Sequence, residues 1–74
     1  MDIRALVGRN VARLRKEREL RQEPLSEVSG FTQSYLSQIE NGRVNLTLLS
    51  LNGLAEAFDV HPSELLAEQG SGED

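Results

Sequence analysis

Between Gln33 and Asn41 the chain reads QSYLSQIEN, and the polar side chains Gln33, Ser34, Ser37 and Gln38 are all amides or hydroxyls. Leu36 and Ile39, three apart, mark the inward face of a helix, which leaves those four polar residues on the outward side. A glutamine amide presents a donor and an acceptor together, and a hydroxyl can serve as either. Such a row recognises a partner by hydrogen bonding and does not break bonds. An exposed helix selected only for stability would more often carry Glu, Lys and Arg. Catalysis has little to work with, since no nucleophile has a credible base and no carboxylate pair lies in an apolar setting. His61 is the single histidine and there is no cysteine, so neither a metal site nor another cofactor is expected.

Several elements must hold that row in place. Asp2 suits the N-cap of a first helix to about Glu19, with Ile3, Leu6, Val7, Val11 and Leu14 as its apolar stripe. Arg15 lies one turn from Val11 and flanks the stripe, so it requires a carboxylate partner. A second helix over Gln22 to Ser29 points Leu25 and Val28 inward and carries Pro24 in its first turn, where a missing N–H is harmless. Gly30 ends it, and Thr32 caps the third helix, which runs to about Asn41 and Gly42. Thr47 caps a fourth to about Phe58, with Leu48, Leu51, Leu54, Ala55 and Phe58 inward and Gly53 costing ~1 kcal/mol against alanine. Pro62 opens a short last helix to about Ala67. The expectation is an all-α domain of five helices over residues 1–67, followed by a flexible acidic tail at 68–74. Helices two and three, joined by a tight turn, form a unit that can lay one helix in a DNA groove while the other braces it.

The 74 residues leave room for one domain, near the lower limit for a core closed without staples. Apolar residues fall in twos and threes, far short of the ~20 a membrane span needs, and no signal-peptide core is evident, so a soluble cytoplasmic protein is expected. The net charge of -4 conceals an asymmetry. Residues 1–21 hold seven bases against three acids, a balance of +4, whereas 22–74 hold only Arg43 against nine acids, a balance of -8. That distribution predicts weak non-specific affinity for nucleic acid and dependence on specific contacts.

From about Leu6 to Leu66 the chain resembles the lambda-repressor-like helix-turn-helix domains, also called the Cro and xenobiotic-response-element family. The signatures are GRNVARLRKERELRQEPLSEVSG, TQSYLSQIENGR and NLTLLSLNGLAEAFDVHPSELL, in that order. The likeness is greatest to small stand-alone regulators, including phage repressors and the controller proteins of restriction-modification systems. It implies that Gln33, Ser34, Ser37 and Gln38 face base edges in the major groove, where a glutamine can pair with adenine N6 and N7. It also implies that Gln22, Tyr35, Asn41 and Arg43 contact the DNA backbone, and that Arg15 and Glu40 form a structural salt bridge. The docking geometry is that described for phage repressors. Relatives usually carry Gly in place of Glu19, Ser or Thr in place of Arg21, an acidic residue in place of Pro24 and a capping Ser in place of His61, so the approach to Gln22 should differ locally.

Leu49 lies off the inward face of the fourth helix, and Leu46, Val44 and one of Leu65 or Leu66 can join it in an apolar patch. The expectation is a homodimer through helices four and five, on a near-palindromic double-stranded DNA site, with no small-molecule ligand. An alternative of a different class is an antitoxin-like or scaffold module whose acidic face, with Glu56, Asp59, Glu64 and Glu68, binds a basic partner.

Overall fold

The computed structural model describes residues 1–68, and the expected tail falls outside the described residues from position 69 onward. Four α-helices follow one another: α1 (Ile3–Glu17), α2 (Gln22–Ser29), α3 (Gln33–Glu40) and α4 (Leu48–Phe58). The expected fifth helix is instead a single 3-10 turn, Pro62–Leu65. Its brevity has a local cause. Leu66 N–H bonds to Ser63 O in the tighter 3-10 pattern, and Leu65, wholly buried, anchors the turn after one revolution.

Side-chain caps open three of the helices. Asp2 accepts from Arg4 N, Thr32 from Tyr35 N and Thr47 from Ser50 N. His61 performs the same task for the final turn, its Nδ1 accepting from Ser63 N at 3.1 Å, so the ring replaces the hydroxyl usual there. Arg21 stands at the N-cap of α2 and makes no capping bond. Pro24, third in that helix, removes one N–H that a cap would have served.

The connection into α2 takes the left-handed option. Glu19 has φ of 55°, while Leu20 N–H bonds to Arg15 O at 3.0 Å and Glu19 N–H to Lys16 O at 3.0 Å, which closes α1 as a Schellman-type cap. This is the conformation a glycine would adopt without strain.

Val11, Leu14, Leu25, Leu36, Ile39, Leu54, Phe58 and Leu65 form the centre of the core, each almost wholly shielded. Three residues expected inward are not. Ile3 is 50% exposed, Val28 66% and Leu48 83%, each lying in the first or last turn of its helix, where the packing against neighbouring elements is incomplete. Asn10 is wholly buried on α1 and donates through Nδ2 to Leu65 O and Ala67 O, both at 2.8 Å, while its Oδ1 has no partner among the described residues. The final turn is thereby tied to the first helix. Gly8 lets α1 cross the end of α3 closely, since a Cβ there would meet Ile39 O and lie 2.8 Å from Glu40 O.

Candidate nucleic-acid interface

The turn between α2 and α3 depends on Gly30, whose φ of 80° and ψ of 0° are left-handed. Ser26 Oγ donates to Phe31 O, and Phe31 N–H donates to Ser29 Oγ at 3.2 Å, so two hydroxyls of α2 fix the chain as it leaves. Phe31 then packs on the core, its ring 5.4 Å from that of Tyr35 at an interplanar angle of 40°. Leu36 and Ile39 hold α3 down.

The outward face of α3 is consequently fixed. Gln33, Ser34 and Gln38 are exposed and Ser37 is half-buried beside them. Among the described residues none of these four side chains has a hydrogen-bond partner within the protein, so their donors and acceptors are free to meet a ligand. Tyr35 is half-buried against the core and its phenol oxygen makes no bond among the described residues. Past the helix, Asn41 turns one amide N–H back to Ser37 O at 2.8 Å. Gly42, with φ of 72°, reverses the chain, and Arg43 emerges exposed with no ion-pair partner among the described residues.

Behind the face lies the ion pair expected of Arg15 and Glu40. Arg15 Nε donates to Glu40 Oε2 at 2.7 Å and Nη2 to Oε1 at 3.0 Å, a two-pronged contact whose side chains are only 14% and 11% exposed. Donating these hydrogen bonds to Glu40 raises the Arg15 pKa above its ordinary value, against the opposing effect of burial. Arg15 Nη1 also donates to Leu20 O at 2.9 Å, so the same guanidinium secures the connection into α2. Gln22, the first residue of α2, is half-buried and donates through Nε2 to Glu40 Oε1 at 3.3 Å. The structure thus gathers Gln22, Arg15 and Glu40 at one junction.

A family description for helix-turn-helix domains matches residues 11–65. The chain belongs to the helix-turn-helix family. This helix-turn-helix protein is 52% identical over 66 residues to an uncharacterised transcriptional regulator of the same type from Sinorhizobium fredii, covering 89% of this chain and 86% of that one. It is 37% identical over 70 residues to the control protein C.SmaI of Serratia marcescens, covering 95% and 83% of the two chains. The crystal structure of the restriction-modification controller protein C.AhdI from Aeromonas hydrophila is similar in fold, with a TM-score of 0.80, 35% identity and coverage of 84% of this chain and 94% of that one. The likeness to controller proteins carried by the three sequence signatures is therefore upheld.

Away from α3, Leu49 is 85% exposed, Leu48 83% and Leu66 43%. Leu48 and Leu66 line an open, mainly apolar groove of about 220 Å³ together with Ile3, Val7, Leu46 and Leu51, and with Arg4, Asn45 and Thr47 as its polar members. Leu65 does not belong to this surface, for its side chain fills the core. Of the two adjacent leucines, the 3-10 turn sends the first inward and the second out. No helix among the described residues is long and apolar enough to cross a membrane, and no group of potential metal ligands occurs among them. Sequence reasoning overlooked Gly8 and Asn10. Asn10 stands three residues after Val7 and beside Val11, so its place on the apolar stripe was the available signal.

Proposed function

We propose that this protein is a sequence-specific, double-stranded DNA-binding transcriptional regulator whose α3 lies in the major groove. The observation that carries this reading is the unpaired row of Gln33, Ser34, Ser37 and Gln38 on a helix whose other side is locked into the core. These four read base edges. Gln22, Tyr35, Asn41 and Arg43 hold the sugar-phosphate strand, Arg43 by charge and the others by neutral donors. Arg15 and Glu40 keep α1 and α3 in fixed relation.

Two copies act together through the face bearing Leu46, Leu48, Leu49 and Leu66. Exposed leucines clustered beside an apolar groove support this arrangement, and a two-fold pair would place its reading helices about 34 Å apart, matching one turn of DNA. Sedimentation should show Leu49→Glu shifting the population towards monomer, and a wild-type chain that stays monomeric at high micromolar concentration, with or without DNA, would refute the pairing.

Site selection from a random DNA pool tests the main reading. A recovered palindrome is the expected result, and Gln33→Ala should then lose about 1–3 kcal/mol on that site while leaving scrambled DNA unaffected. Equal losses on both sequences would contradict base reading by Gln33.

A further inference from the structure

We infer that Glu40 is a positioning residue for the DNA strand, acting through the side-chain amide of Gln22; the inference rests on the DNA-binding reading above. Glu40 closes α3 and Gln22 opens α2, so the carboxylate joins the reading helix to the strand-holding helix. Its Oε1 accepts both Arg15 Nη2 at 3.0 Å and Gln22 Nε2 at 3.3 Å, while its Oε2 accepts Arg15 Nε at 2.7 Å.

The chemistry of a carboxylate decides the orientation of the amide. An ionised carboxylate only accepts, so it selects the NH2 end of Gln22 and repels the carbonyl end. One N–H of that NH2 is then spent on Glu40, and the second is left as the group available to a phosphate oxygen. A free glutamine amide in the unbound protein would turn about its last torsion between both orientations, and the phosphate would have to select the one that presents the NH2 group. Glu40 removes that choice before DNA arrives, which is preorganisation in the ordinary sense. Glu40 is itself restrained, because Arg15 grips both its oxygens and through Nη1 holds Leu20 O, two residues before Gln22. The junction therefore fixes the main chain leading to Gln22 and the tip of its side chain from a single guanidinium.

A double-substitution cycle in DNA affinity tests this. Wild type, Gln22→Ala, Glu40→Gln and the double variant are compared on the selected site, with thermal unfolding recorded for each. In the presence of Gln22, Glu40→Gln should weaken binding roughly fivefold to tenfold more than it does in the Gln22→Ala background. General effects of losing a negative charge or part of the Arg15 contact appear in both backgrounds and cancel. Equal effects in the two backgrounds would overturn the positioning role while leaving DNA binding intact. Absence of any selective DNA binding by the wild type would remove the functional reading as well. A second measurement does not depend on a variant that folds or on DNA: nuclear magnetic resonance of the Gln22 side-chain amide in the unbound wild type. Restricted motion and an amide proton shifted from that of a free glutamine are expected, and an amide that averages freely overturns the inference.

Discussion

Gly8→Ala adds one methyl group where α1 crosses the end of α3. The new carbon would lie 2.8 Å from Glu40 O and 3.0 Å from Glu40 C, and against Ile39 O as well. Ordinary carbon to oxygen contacts fall at about 3.3–3.6 Å, so α3 must retreat by about 0.5–1 Å. All three obstacles are main-chain atoms, and no flexible side chain can yield in their place. Overpacking of this kind costs about 1–3 kcal/mol, against which the better helix propensity of alanine returns about 1 kcal/mol. With rigid backbone on both sides the net loss should be about 1–2 kcal/mol, a large part of the total stability of a domain this small. In thermal unfolding followed by helical circular dichroism, that loss should lower Tm by about 5–15 °C. Gly53→Ala supplies the opposite case. Its added carbon would find only Phe31 Cζ at 3.9 Å, an ordinary contact, so the helix gains about 1 kcal/mol and Tm should rise by about 4–8 °C. If both substitutions move Tm in the same direction, the account of close approach at Gly8 is wrong.

Glu19→Gly should stabilise the chain by about 1 kcal/mol in urea unfolding, because a φ of 55° is strained for glutamate and free for glycine; a loss of stability would show that the Glu19 side chain contributes to the fold. Arg43→Gln should weaken binding to cognate and scrambled DNA alike and reduce the slope of log affinity against log salt by about 0.9, whereas an unchanged slope would remove Arg43 from the phosphate contacts. Asp2 should titrate below the usual aspartate range, chiefly because the Arg4 N–H bonds to its carboxylate. Its folded pKa is depressed, so its contribution is fully present above the unfolded value and is lost as pH falls through the folded one. Carbon-detected titration of Asp2 checks the direction, and Asp2→Asn, which keeps a capping oxygen, should remove that acid-side loss.

Much of the helix-turn-helix unit was legible because its signals are local. Thr32 as a cap, Gly30 as a left-handed stop and the spacing of Leu36 and Ile39 each constrain a few neighbouring residues, and together they fix which side of α3 faces out. The pairing of Arg15 with Glu40 needed more, since 25 residues separate them and only the family resemblance joined the two. Ile3, Val28 and Leu48 were misplaced for a related reason. Helical spacing tells which residues share a face, but not whether another element covers the end of that face. Asn10 and Gly8 failed in the opposite sense, as a polar residue and a small one whose burial follows from the final turn and the end of α3 arriving beside them. Leu65 and Leu66 could not be separated without knowing that the last element is a 3-10 turn.

The double hydrogen bond from Asn10 reaches across 55 and 57 residues of sequence, from the first helix to the carbonyls of Leu65 and Ala67. Contacts between α2 and α3 close loops of a few residues, so their entropic cost is small and they can form early in folding. The Asn10 clasp closes a far longer loop, at a larger entropic cost, and is therefore expected late in assembly. By the same reasoning it should be among the first parts of the native structure to open. In hydrogen exchange, the Leu66 amide would then exchange ahead of Leu36 and Ile39, and α3 would keep its shape through openings that release the final turn.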